Sequence, residues 1–216
     1  EGQYMLDSGQ RIIAGARLDQ WRVTDQRSAV KISMMSTALN PTAGYTRESD
    51  LFSSFVRYEH ELTSTLVTLF AGLGRAQRFP DYWEMIKNES LASVSAMGTR
   101  PETTLQFDTG AIYRQGPLEF SVSLFASGID DFILVQNNHA KPAGMMGTRL
   151  AVITRNVDAS TIGGEASLGW QIDEHWKLDT SLAYVRGEND TDSRPLAQMP
   201  PFEGRIALAY ATGNWS

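Results

Sequence analysis

The sequence predicts an all-β protein, an antiparallel up-and-down transmembrane β-barrel, on three observations. Polar and apolar residues alternate over about eight or nine segments, each of about ten residues or more. The connections between segments are alternately very short and very long, the asymmetry of a barrel with tight turns at one rim and loops at the other. No run approaches the roughly 20 apolar residues of a spanning helix, whereas a barrel strand crosses in about 9–11.

Each segment follows from its own pattern. In Thr104-Leu105-Gln106-Phe107-Asp108-Thr109-Gly110-Ala111-Ile112-Tyr113-Arg114, Leu105, Phe107, Ala111 and Tyr113 share one face, and Gln106, Asp108 and Arg114 the other. A helix would scatter those charges over its buried side. Across the turn Gln115-Gly116-Pro117, Leu118, Phe120, Val122 and Leu124 alternate with Glu119, Ser121 and Ser123. By the same reasoning, strands are expected near 11–24, 51–61, 65–77, 103–114, 118–136, 149–172, 176–187 and 202–211, each pairing antiparallel with the next. Long loops then cover about 25–50, 78–102, 137–148 and 188–201. All eight prolines fall in or beside turns and loops, where no ladder hydrogen bond is lost. On this register Val67, Leu69, Ala71, Leu105, Phe107, Val122, Leu124, Leu168, Trp170, Leu178 and Leu182 face lipid. Arg17, Asp19, Arg57, Glu59, Gln106, Asp108, Glu119 and Glu165 face the lumen, and Trp21, Tyr58, Trp170, Trp176, Tyr184 and Tyr210 are expected in interfacial girdles.

Composition narrows the function. The 216 residues are 42% hydrophobic, yet mean hydropathy is −0.27 because the apolar residues are spread at period two. With no cysteine there is neither a disulfide nor a thiolate metal site within this sequence. A net charge of −6 argues against a nucleic-acid surface, which needs clustered Lys and Arg. Catalytic signatures are absent: there is no Gly-x-Ser-x-Gly elbow and no His-Glu-x-x-His, and His60, His139 and His175 fall on different elements. Glu188, Asp190 and Asp192 lack the glycine spacing of a calcium loop and read as a solvated acidic loop.

At the outer end of the third long strand stands Gly72-Leu73-Gly74-Arg75-Ala76-Gln77-Arg78-Phe79-Pro80-Asp81-Tyr82-Trp83-Glu84. This segment resembles the barrel of TonB-dependent outer-membrane receptors, and its Gly-x-Gly-Arg-x-x-Arg-x-Pro-x-x-x-Glu form is most similar to their copper-receptor branch. Asn40-Pro41-Thr42-Ala43-Gly44, Gly128-Ile129-Asp130-Asp131-Phe132-Ile133 and the stretch from Asn156 to Glu165 agree with it. The resemblance implies a plugged barrel of about 22 strands in a Gram-negative outer membrane, with import energised by the TonB complex acting on the plug. Residues 1–216 are then part of that barrel, about eight or nine strands of it, with the plug domain outside this chain.

The expected activity is uptake of copper, as the ion or a small complex, with the metal as cargo and no cofactor. Seven of eight methionines lie outside the expected strands: Met34 and Met35, Met85 and Met97, Met145 and Met146, and Met199, so every outward loop carries a thioether. Soft sulfur ligands favour Cu(I). Met34, Met35, Met145 and Met146, with the His139 imidazole, form the candidate metal set. The alternative for each methionine is apolar packing between loops, because a thioether is also an adaptable hydrophobe. Two other cargoes, an iron–siderophore chelate or haem, stay within the same class. Outside it stand a barrel enzyme with a rim active site and a soluble β-sandwich with a recognition role.

Overall fold

The computed structural model describes residues 1–7, 9–32, 36–62, 64–143 and 147–213. Its strands are β1 (Gly2–Asp7), β2 (Gln10–Thr24), β3 (Ala29–Lys31), β4 (Thr37–Leu39), β5 (Thr46–Leu62), β6 (Val67–Arg78), β7 (Glu102–Gln115), β8 (Leu118–Pro142), β9 (Thr148–Gln171), β10 (Trp176–Asn189), β11 (Arg194–Pro195) and β12 (Glu203–Tyr210). One π-helical turn, Trp83–Lys87, is the only helix among the described residues.

Ten strands form one antiparallel sheet in the order β1-β2-β5-β6-β7-β8-β9-β10, with β11 and β12 both on the far edge of β10. The eight expected segments are therefore antiparallel neighbours in chain order. The sheet does not close: among the described residues β1 and β12 are its edges. β3 and β4 make a separate small hairpin inside the first long loop.

Register separates two faces. One row runs Leu69, Ala111, Val122, Ala166, Leu182 across five strands, and a neighbouring row on the opposite face runs Glu59, Phe70, Gly110, Ser123, Glu165. Every residue assigned to lipid in the sequence falls on the first face, where Leu105, Leu124 and Leu182 remain about half exposed to solvent. A continuous apolar surface of this extent needs a partner, and lipid is the partner a barrel wall presents it to. The opposite face is polar and internally paired. Arg57 and Arg11 both bind Glu59, Arg17 binds Asp19 at 2.6 Å, and Gln106 donates to Asp108 at 2.7 Å.

Glycines on the polar face are packing sites. Phe55, Phe70 and Phe125 lie directly across from Gly15, Gly110 and Gly163, and a Cβ on any of the three would sit about 2.5–2.6 Å from the ring. The rings lie over the missing side chains and restore contacts that glycine cannot make.

Of the aromatics expected in girdles, Trp170, Trp176 and Tyr210 lie at the short-turn rim on the apolar face, and Trp176 packs on Tyr210 at 4.8 Å. Trp21 corrects that expectation. It projects from the polar face of β2 and stacks on Phe79 at 3.4 Å, because the loop after β6 folds back over it. A second correction concerns 137–148, expected as a loop. β8 and β9 run on as a hairpin to Pro142 and Thr148, and at 25 and 24 residues they far exceed the roughly 9–11 needed to cross a membrane. Two bulges hid this extension by breaking the alternation. They lie between Ile129 and Phe132 and between Gln136 and His139, with Asp131 and Asn138 both at φ 57°.

Candidate functional site

The long connections gather at one rim and form a cap with its own small core. Leu51, Phe79, Met85, Ile86 and Met97 are buried together, with Trp21 and Val23 packed against them. Met85 and Met97 are wholly inaccessible. These two methionines are packing residues, so loop 79–101 offers no thioether outward.

Loop 79–101 organises the rest of the cap. Arg78 grips Glu84 at 2.9 and 3.1 Å, while Glu84 and Asp81 exchange backbone-to-carboxylate hydrogen bonds of 2.8 Å, which fixes the turn into the π-helical segment. That pairing accounts for the Arg and Glu of the motif read in the sequence.

On one side the loop binds loop 25–45. The Asp25 carboxylate is buried and accepts from Arg27, Asn40 and Thr42 at 2.8–2.9 Å. Burial alone would raise this carboxyl, but the hydrogen bonds from Arg27, Asn40 and Thr42 outweigh it and hold the group well below the usual range. Arg27 also donates to the Ile86 carbonyl, and Thr42 and Ser95 hydroxyls meet at 2.8 Å. Arg47, at the start of β5, donates to the carbonyls of Met97 and Thr99 and lies 5.2 Å from the Phe79 ring centre.

On the other side the loop binds the projecting β8–β9 arm. Glu89 adds to the free edge of β9: its N–H donates to Val152 and its carbonyl accepts from Thr154, at 3.0 and 2.8 Å. Its side chain takes two hydrogen bonds from Arg149 and one from Lys141, at 2.6–2.8 Å. Burial would raise the Glu89 carboxyl, and the hydrogen bonds from Arg149 and Lys141 reverse this to a lowered value. Arg100 then pairs with Asp131, and its N–H donates to Asn156 at 2.8 Å. Arg155 holds Asp192, so the acidic loop after β10 is tied to the arm by ion pairing.

Of the candidate metal set, His139 is placed on β8 opposite Ala151, half-buried, two residues from Lys141 on the same face of the arm. Met34, Met35, Met145 and Met146 lie outside the described residues. Each pair falls within a span whose flanks are hydrogen-bonded, Ile32 to Ser36 at 3.0 Å and Ala143 to Gly147 at 2.8 Å. Among the described residues no three His, Asp or Glu side chains are grouped to hold a metal ion. Glu89, Lys141 and Arg149 were not singled out by the sequence. The signal available was a pair of cations flanking a short glycine-containing tip.

A sheet of this topology, with one apolar face, one polar face and an elaborated rim, defines a segment of a β-barrel wall. The chain belongs to the TonB-dependent receptor family: the family model described as TonB dependent receptor-like, beta-barrel, matches residues 1–216. Among solved structures, "Copper transporter OprC" shares 41% sequence identity at a TM-score of 0.87, over 98% of this chain and 31% of that one. The alcaligin outer-membrane receptor FauA of Bordetella pertussis matches at 16% identity and TM-score 0.58, over 96% and 32%. The Serratia marcescens hemophore receptor HasR matches at 15% and 0.65, over 95% and 38%. The last two show the fold alone. The chain spans about a third of the length of each of these structures. No curated protein matches it.

Proposed function

We propose that this chain is part of the barrel of a Gram-negative outer-membrane receptor that takes up copper, as the ion or a small complex. Uptake is driven by the TonB complex acting on a plug domain outside these residues. The carrying observation is the 41% identity to a copper transporter across 98% of the chain. Matches to the alcaligin and hemophore receptors keep the fold at 15–16% identity and carry no claim on cargo. Copper is the substrate here, with no resident cofactor and no catalytic role for the chain.

The reading locates capture at the cap. Met34 and Met35, in the sequence between β3 and β4, and Met145 and Met146, in the sequence between β8 and β9, supply thioethers in this reading, and His139 supplies an imidazole from β8. Met85 and Met97 are excluded by their burial. The test uses the full-length receptor with Met34, Met35, Met145 and Met146 all changed to leucine, a swap that keeps apolar volume and removes sulfur. Copper binding and uptake should fall, with the amount of folded barrel unchanged. Undiminished copper binding would leave the four methionines as packing residues and move the cargo to a metal chelate recognised by shape.

A further inference from the structure

Lys141 and Arg149 are directly opposed across the β8–β9 ladder, one residue inside each end of the arm's tip. Like charges placed opposite one another on neighbouring strands repel and disfavour the pairing. Both side chains are nonetheless largely buried, at 8% and 13% exposure, so water screens them little. Among the described residues the only carboxylate in ion-pair distance of either is Glu89, itself 9% exposed at the side chain. Lys141 completes its shell with the carbonyls of Ser90 and Ser93, at 2.9 and 2.8 Å, from the same loop. The end of the arm is therefore assembled around a charge brought by a segment about fifty residues earlier in the chain.

We propose that Glu89 is the positioning residue of the cap: as the shared counter-charge of Lys141 and Arg149 it fixes the β8–β9 arm, and with it His139, against loop 79–101. The same loop is bound to loop 25–45 through Arg27 and Ser95, so one scaffold sets both candidate-bearing segments. Glu89 touches no cargo. Its consequence for copper rests on the reading under Proposed function, whereas its consequence for the arm does not.

The experiment compares full-length receptor carrying Glu89→Gln, Lys141→Leu, or Glu89→Leu with Lys141→Leu and Arg149→Leu, apolar changes that introduce no thioether. Hydrogen exchange is followed at 139–141 and 148–152, with β6 and β7 amides as the control for an intact wall. In Glu89→Gln the arm should exchange about tenfold faster while β6 and β7 stay protected. Lys141→Leu keeps the bidentate Arg149–Glu89 pair and relieves the repulsion while giving up the bonds to the Ser90 and Ser93 carbonyls, so its arm should exchange well below the Glu89→Gln rate. The triple leucine variant removes all three charges for apolar groups and should restore protection, as apolar replacement of buried ion clusters can.

Unchanged arm exchange in Glu89→Gln overturns the proposal. So does a Lys141→Leu arm as loose as that of Glu89→Gln, because that result would make any lost contact sufficient. Copper titration of the same proteins adds the second readout: Glu89→Gln should raise the half-saturating copper concentration about tenfold, the scale seen when the support of a metal ligand is removed, and the triple variant should recover it. A loosened arm with unaltered half-saturation would leave Glu89 as the clamp and overturn the placement of capture on the arm.

Discussion

The wall and the cap of this molecule are stabilised in opposite ways. The wall buries almost nothing by itself: its large apolar side chains, such as Leu105, Leu124 and Leu208, are about half exposed and await lipid. Its order comes from a continuous backbone ladder and from a period-two pattern that tolerates many side chains on either face. The cap has little regular ladder. It is held by five buried hydrophobics and by carboxylates that each serve several donors, Asp25 in one half and Glu89 in the other. Substitutions in the wall should therefore be judged by face, and substitutions in the cap by partner.

The largest effect expected from a single change is in the cap's core. Met97 is wholly buried, and Met97→Ala should cost about 2–5 kcal/mol, the cost of deleting a buried side chain of this size. Met97→Leu should cost less than about 1.5 kcal/mol because volume is conserved. Hydrogen exchange at 85–99 in the full-length receptor measures both. Equal losses from alanine and leucine would show that the sulfur, and not the volume, matters at this position.

Second in size is a test of the wall. Leu124 and Ser123 are consecutive on β8, near the middle of the wall and on opposite faces. Leu124→Arg places a charge against the hydrocarbon and should destabilise the barrel by about 2–4 kcal/mol in denaturant unfolding from lipid vesicles. Ser123→Arg, facing the polar side beside Glu165, should cost far less. A reversal of that order would mean that the two faces have been assigned the wrong way round.

The same contrast explains what the sequence disclosed. Wall strands were legible because alternation is local: Leu105, Phe107 and Tyr113 announce their face without reference to any other segment. Strand ends were read too short where bulges at Asp131 and Asn138 shift the phase, and β5 begins at Thr46 instead of 51 because its first residues, Thr46-Arg47-Glu48-Ser49-Asp50, are polar on both faces. The cap was not legible, since Glu89 acquires its role only through residues 52 and 60 positions away. For Met85 and Met97 the packing alternative holds. Both look like displayed thioethers until Phe79, Leu51 and Trp21 close around them. Motif residues fared better, because Arg78 and Glu84 pair within six positions and so leave a short-range trace.

The smallest effect near neutrality, and the one that separates the two regions most simply, is the response to acid. Asp25 and Glu89 are both held below the ordinary carboxylate range, Asp25 by Arg27, Asn40 and Thr42 and Glu89 by Arg149 and Lys141, in each case against the opposing pull of burial. A lowered folded-state value means that the stabilisation is complete above the unfolded-state pKa, about 3.9 for Asp and 4.3 for Glu, and is lost as pH falls from there through the folded value. Between pH 7 and about 5 the cap should keep its exchange protection, and below about 4 it should loosen while the wall, whose apolar face meets lipid, stays protected. Asp25→Asn and Glu89→Gln should each flatten that acid dependence in their own half of the cap, the first at 27–42 and the second at 139–152. Loss of protection already at pH 6, or simultaneous loss in cap and wall, would show that other groups govern the transition and that the two carboxylates are not what sets the cap apart.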